Sequence, residues 1–85
     1  MTWKLVITKP AERALRTIPR VDLEHIDNAL EEMCSDPYFG DVRFLRGSGG
    51  ALRRRVGDWR IFFELNKDKQ LIIVLAVKRR GSKTY

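Results

Sequence analysis

The hydrophobic and polar positions of this chain follow a strand period first, then a helix period, and then a strand period again. Residues 3–7 are rich in strand formers, which predicts a first strand. Apolar residues then recur at helical spacing in two segments, one from residue 8 or 9 to 18 and one from 20 to 34, separated by Pro19. Two helices with so short a connection are expected to pack as a hairpin.

The second half of the chain carries the alternation that is typical of strands. Residues 38–50 read as a loop, and strands are predicted near 51–56, 59–66 and 70–78. On the middle strand we expect one face to lie against the helices, with Trp59, Ile61, Phe63 and Leu65, and the opposite face to carry Arg60, Phe62 and Glu64. The sequence therefore predicts one α+β domain over residues 1–85, ordered β-α-α-β-β-β, with a helix hairpin packed on a small antiparallel sheet.

An unusual concentration of arginine lies at the first hairpin of this sheet. With a two-residue turn at Gly57-Asp58, Arg55 lies opposite Arg60. Like charges directly across a strand pair destabilise it, so we expect an anion to bind there, with phosphate as the first candidate. The alternative is a solvent-facing strand whose cations guard the sheet against aggregation, although that purpose does not require paired like charges.

The three consecutive arginines do not all point the same way. Because side chains alternate along a strand, Arg53 and Arg55 share the face that points away from the helices, whereas Arg54 falls on the helix side. We expect Arg54 to extend from an edge position toward solvent and to play a supporting role.

The charge is divided unevenly between the two halves of the chain. The net charge is +6, but residues 1–42 carry five basic and eight acidic side chains, net −3, and residues 43–85 carry twelve and three, net +9. A basic half in a small protein points to nucleic acid or to an acidic partner protein. A solvated basic surface is the plainer alternative.

Several kinds of site are excluded by what the chain lacks. His25 and Cys34 are its only histidine and cysteine, so a two-histidine nuclease, a zinc site and an internal disulfide are all excluded. The glycine-rich residues 47–50 lack the lysine and the context of a phosphate-binding loop. No metal or cofactor is expected. The longest apolar run, residues 71–77, is too short to span a membrane, and a cytoplasmic location is expected.

Three segments of the chain resemble the RelE/ParE toxin superfamily: Leu45-Arg46-Gly47, residues 52–64 and residues 77–85. With the helix hairpin that ends at Asp36-Pro37, the resemblance covers almost the whole chain, and the tail points to the RelE branch. It implies a toxin of a type II toxin–antitoxin pair that cuts messenger RNA in the ribosomal A site. The family reaction is attack of a ribose 2′-hydroxyl on the adjacent phosphate, which leaves a 2′,3′-cyclic phosphate.

The resemblance also implies a set of site residues. The catalytic set that it implies is Arg53, Arg55, Arg60, Arg79 and Tyr85, with the arginines in one concave patch. Further cations expected to contact RNA are Arg46, Arg54, Lys78, Arg80 and Lys83. RelE proper has lysines at the first two catalytic positions, and arginine stays protonated, so neither residue here is a plausible general base. Proton transfer is then left to Tyr85, to RNA or to water.

Two other functions stay open at this point. One is a ParE-like inhibitor that binds DNA gyrase without cutting nucleic acid, and the other is an inactive homologue that only binds RNA. In each toxin case the resemblance implies an antitoxin partner whose acidic or amphipathic segment covers the basic face, in an oligomeric assembly. For the nuclease, messenger RNA and the ribosome are the further partners.

Overall fold

The computed structural model describes residues 2–79, in which two helices pack on one face of a five-stranded sheet. The elements, in chain order, are β1 Lys4–Ile7, α1 Lys9–Arg16, α2 Arg20–Ser35, β2 Val42–Phe44, β3 Leu52–Val56, β4 Trp59–Asn66 and β5 Leu71–Arg79. The strands lie side by side in the order β1-β5-β4-β3-β2. This arrangement confirms the predicted α+β class and the helix hairpin.

The sheet differs from the prediction in two respects. It is mixed and not wholly antiparallel, because β1 pairs parallel with β5. The two strands are far apart in the sequence, so no local turn signal reveals the direction of their pairing. The predicted loop over residues 38–50 also contains β2, which is only three residues long and therefore too short to show a strand period.

The ends of the helices follow from local chemistry. Pro10 lies in the first turn of α1, where its missing N–H costs no hydrogen bond, and Pro19 stands immediately before α2. The Thr8 hydroxyl does not cap α1. It donates instead to the carbonyl oxygens of Val74 at 2.9 Å and Leu75 at 3.1 Å, and so joins the start of α1 to β5.

The core lies between α2 and the middle of the sheet. Ile26 and Met33 of α2 are fully buried, as are Ile61 and Phe63 of β4. Burying each such side chain contributes roughly 1.5–3 kcal/mol, so this layer accounts for much of the stability of the domain. Since the helices cover one face of the sheet, the opposite face is open within residues 2–79.

The first hairpin has the predicted register. Val56 pairs with Trp59 and Arg55 with Arg60 across β3 and β4. Gly57 adopts a positive φ of 58°, as a turn with glycine in its first position requires. Neither helix within residues 2–79 has the length and hydrophobicity needed to cross a membrane.

Candidate nucleic-acid interface

Two rows of side chains cross the open face of the sheet. Arg55, Arg60 and Lys78 form one row, because Arg60 pairs with Arg55 on one side and with Lys78 on the other. Arg43 pairs with Arg53 in the second row, and Arg53 pairs in turn with Phe62. Residues paired directly across strands project to the same face, so these rows form one continuous cationic surface.

A cavity of about 370 Å³ lies on this surface. Its lining consists of Asp41, Arg43, Leu45, Arg53, Arg55, Arg60 and Phe62. Four guanidinium groups and one carboxylate therefore surround a single space, which is of a size to hold a phosphate with part of a nucleotide. The structure brings Arg53, Arg55 and Arg60 together as the sequence predicts, and adds Arg43.

The guanidinium groups in the cavity are incompletely neutralised. Arg53 Nη2 lies 3.4 Å from Asp41 Oδ1, and this is the one ion pair of the cavity within residues 2–79. The Nε of Arg60 is buried and has no hydrogen-bond acceptor among the described residues. A buried donor without a partner is costly, and an anion in the cavity would supply the acceptor.

Apolar side chains complete the walls of the cavity. Phe62 lies half-buried beside Arg53, and Leu45 stands on the β2 side. An aromatic ring next to guanidinium groups is the usual surface on which single-stranded nucleic acids stack a base. The chemistry of the cavity therefore suits a nucleotide better than a free inorganic anion.

Arg54 points to the other face of the sheet and takes no part in the cavity. Its guanidinium lies 2.7 Å from Glu32 Oε1 and donates to the Phe39 carbonyl oxygen at 3.1 Å, and the residue is 8% exposed. The expectation of an edge position was wrong, because β2 pairs with β3 and places Arg54 inside the sheet. A role in contacting RNA is not compatible with this burial. A side chain on Gly40 would meet the same guanidinium at 2.8 Å.

Arg79 also lies outside the cavity, contrary to the predicted four-arginine patch. It pairs with Trp59, and its Cζ lies 5.7 Å from the centroid of the Trp59 ring. The cause is a β-bulge in the β4–β5 ladder, where Phe62 pairs with Ala76 but Phe63 pairs with Val74. Leu75 is thus an extra residue in β5.

The bulge exchanges the faces of the last two described residues. Strict alternation from the buried Ile72 and Val74 would put Arg79 on the open face and Lys78 on the helix side. The extra residue reverses this pattern, so Lys78 joins the cationic row and Arg79 packs on the tryptophan. The two hydrogen bonds from the Thr8 hydroxyl hold the backbone at this bulge.

The other predicted RNA contacts are distributed more widely. Arg46 is exposed in the turn after β2 and does not line the cavity. Arg80, Lys83 and Tyr85 lie outside the described residues. The sequence pattern does not indicate Arg43 and Asp41 as site residues, since both fall in the segment predicted to be a loop. It placed Phe62 on the correct face without assigning it a role.

The remaining chemistry-bearing side chains do not form a second centre. No three histidine, cysteine, aspartate or glutamate side chains within residues 2–79 are grouped so that they would hold a metal ion. Burial, with the charge of Glu31 as the second cause, raises the pKa of the Cys34 thiol. A thiol with a raised pKa is a poor nucleophile at neutral pH.

The family of the chain follows from its similarity to known proteins. The family model described as the ParE toxin of the type II toxin–antitoxin system, parDE, matches residues 5–83. A search of curated proteins finds no significant match.

Solved structures of RelE toxins superpose on almost the whole chain. The archaeal RelE–RelB complex of Pyrococcus horikoshii matches with 27% identity and a TM-score of 0.82, over 98% of this chain and 100% of that one. The toxin–antitoxin complex RelBE2 of Mycobacterium tuberculosis matches with 21% identity and a TM-score of 0.84, over 94% and 100%. The isolated RelE toxin of E. coli matches with 17% identity and a TM-score of 0.81, over 96% and 88%. The chain therefore belongs to the RelE/ParE superfamily and is a toxin of a type II toxin–antitoxin system.

Proposed function

We propose that this toxin is a metal-independent endoribonuclease that cuts messenger RNA on the ribosome, with the scissile phosphate bound in the open-face cavity. The observation that carries the proposal is the convergence of Arg53, Arg55 and Arg60 on one space, with a buried guanidinium donor that lacks an acceptor within residues 2–79. Fixed cations that face each other in this way are costly in the free protein, and the cost is recovered when a phosphodiester binds.

The reaction that fits this cavity is an internal transesterification of RNA. The ribose 2′-oxygen forms a bond to phosphorus while the bond from phosphorus to the 5′-oxygen breaks. The products are a 2′,3′-cyclic phosphate and a 5′-hydroxyl. Negative charge grows on the phosphoryl oxygens in the transition state, and each preorganised donor directed at that charge contributes about 3 kcal/mol.

The cations play different parts in this scheme. Arg53, Arg55 and Arg60 stabilise the phosphoryl oxygens, while Lys78 and Arg43 extend the surface along the RNA backbone. Phe62 offers a face on which a neighbouring base stacks. Arg46 lies farther out and contributes to steering the RNA. Roles for Arg80, Lys83 and Tyr85 remain predictions from the sequence.

The proposed partner in the resting cell is an antitoxin protein. The Pyrococcus and Mycobacterium relatives were solved in complex with their antitoxins. The +9 charge of residues 43–85 favours a partner segment with carboxylates that occupies the cationic face. We place this assembly and the target ribosome in the cytoplasm.

Inhibition of DNA gyrase is the second candidate function. The observation that favours it is the match to the family model of ParE, a branch that is not nucleolytic. The position of Arg79 on Trp59 is also compatible with it, since this arginine is withdrawn from the cavity. An inactive homologue that only binds RNA is a third outcome of the same test.

The deciding experiment combines translating ribosomes, a defined message and primer extension. We expect cuts in the A-site codon with the wild-type protein and about a hundredfold slower cutting with Arg60→Ala. Arg13→Ala is the matched control, because Arg13 is an exposed arginine on α1, on the far side of the sheet. An uncut message together with inhibited supercoiling by gyrase would establish the second function instead.

A further inference from the structure

One acidic side chain stands among the arginines of the cavity. Asp41 immediately precedes β2 and lines the same space as Arg43, Arg53, Arg55 and Arg60. It is the one carboxylate in that lining, which lies wholly within the described residues. Every other charged group that faces it there is a guanidinium, which cannot accept a proton.

The backbone holds Asp41 in place from two directions. Its carbonyl oxygen accepts a hydrogen bond from the backbone N–H of Arg55 at 2.9 Å, which ties it to the second half of β3. On its other side is Gly40, where a Cβ would meet the Arg54 guanidinium at 2.8 Å, and that guanidinium is fixed by Glu32 and by the Phe39 carbonyl. The backbone of Asp41 is therefore fixed beside the cavity before substrate arrives, as a catalytic group requires.

The carboxylate is engaged on one side only. Oδ1 lies 3.4 Å from Arg53 Nη2, a long contact, and Oδ2 accepts no hydrogen bond from residues 2–79. The side chain is 46% exposed, so its second oxygen is accessible to a ligand in the cavity. A carboxylate with one available oxygen, next to an arginine proposed to bind phosphate, has the arrangement of a general base.

We infer that Asp41 is the proton acceptor for the cleavage reaction, an inference that rests on the proposed nuclease function. The proton of the ribose 2′-hydroxyl passes to the Asp41 carboxylate as the 2′-oxygen attacks phosphorus. The bond to the 5′-oxygen breaks, and the departing oxygen takes a proton from water; the hydroxide that remains is neutralised by the proton that Asp41 releases. The arginines hold the phosphoryl oxygens throughout and exchange no proton.

A purely structural role for Asp41 makes a different prediction. If the carboxylate only neutralised Arg53, its loss would change stability and RNA binding together, and the dependence of the rate on pH would keep its form. If it is the base, its loss removes a proton acceptor, and only hydroxide replaces it. The rate of the variant then rises about tenfold per pH unit, whereas the wild-type rate depends much less on pH.

The test uses Asp41→Asn, which keeps the shape and an oxygen that can accept from Arg53, with Asp41→Glu as the conservative variant. Single-turnover cleavage on programmed ribosomes is measured from about pH 6 to 9, so that the pH profiles of the wild-type protein and the variants can be compared. Binding is measured with a message that carries a 2′-deoxynucleotide at the scissile position. We expect Asp41→Asn to cut about 10²-fold or more slowly, to bind equally or more tightly, and to show the rising profile. Asp41→Glu should recover part of the rate and the level profile.

Each outcome of this test has a definite meaning. Two results would overturn the base assignment while the proposed nuclease function stands. In one, the wild-type protein cuts and the rate of Asp41→Asn is within about threefold of the wild-type rate. In the other, Asp41→Asn loses rate and binding equally and its dependence of rate on pH is unchanged. A rising profile in Tyr85→Phe but not in Asp41→Asn assigns the base to Tyr85 and also overturns it. An uncut message with the wild-type protein removes the proposed function, and the base assignment with it.

Discussion

Arg55 and Arg60 face each other directly across the β3–β4 ladder, beside the turn that joins the two strands. Their mutual repulsion opposes formation of the hairpin, and the buried Nε of Arg60 adds the cost of a donor without an acceptor among residues 2–79. Two such features lower the stability of the free protein, and both are relieved when an anion binds between the arginines.

The first prediction concerns Arg60→Gln, which removes the charge and keeps much of the side-chain length. We expect the free energy of unfolding to rise by up to about 1 kcal/mol, because a cross-strand repulsion is relieved. Cleavage should fall about a hundredfold in the same protein. Urea denaturation and ribosome-dependent cleavage measure the two effects, and a variant that loses both stability and activity would argue that Arg60 is merely structural.

The second prediction separates Lys78 from its neighbour Arg79. Because the bulge places Lys78 on the cationic face, Lys78→Ala should lower cleavage about fivefold to tenfold, which corresponds to about 1 kcal/mol. Arg79→Ala should leave cleavage within about twofold and reduce stability by about 0.5–1 kcal/mol through loss of its contact with Trp59. A large loss of cleavage in Arg79→Ala with little loss in Lys78→Ala would contradict this prediction. It would show that the active protein has no bulge and that Arg79 lies on the cationic face.

The third prediction concerns the ion pair on the helix side. Glu32→Gln removes the charge that faces the buried Arg54 guanidinium, and we expect the free energy of unfolding to fall by about 1 kcal/mol, since Glu32 itself is half exposed. Glu31→Gln, an exposed neighbour on the same helix, is the matched control and should change little. RNA affinity per folded molecule should be the same in both, and a specific loss in Glu32→Gln would mean that Arg54 reaches the RNA.

A fourth prediction uses salt to count phosphate contacts. Binding of a non-cleavable 2′-deoxy message should weaken as salt rises, since counterions are released on binding. Arg55→Ala should lower the slope of log affinity against log salt by about 0.7, the value for one contact to a single strand. Arg13→Ala should leave the slope unchanged, and equal slopes in all three proteins would place Arg55 outside the RNA site.

Much of this fold follows from local patterns in the sequence. The helices are marked by their apolar spacing and by Pro19, and the hairpin by Gly57-Asp58, so even the pairing of Arg55 with Arg60 is predictable. The parallel pairing of β1 with β5 is not, because it joins segments from the two ends of the chain. The strand β2 is not predictable either, since three residues are too few to show the alternation of apolar and polar side chains.

The site is predictable only as far as strand alternation holds. Arg53 and Arg55 sit on β3, which is regular, and they reach the cavity as expected. Arg79 follows a β-bulge at Leu75 that no residue type in the sequence predicts. Because of the bulge, its side chain projects to the helix side of the sheet and not to the open face. Asp41 is placed at the cavity by a backbone hydrogen bond from Arg55, and the glycine before it leaves room for the Arg54 guanidinium; both features depend on the assembled sheet.

The proposed function requires that the open-face cavity holds a ribophosphate during its cleavage. The most direct measurement is the end-group chemistry of the cut message, made with wild-type protein, with Arg60→Gln and with Arg13→Ala. We expect a 2′,3′-cyclic phosphate and a 5′-hydroxyl from wild type and Arg13→Ala, almost no product from Arg60→Gln, and no cut where the scissile nucleotide is 2′-deoxy. Equal cutting by Arg60→Gln, or cutting at a 2′-deoxynucleotide, would contradict it.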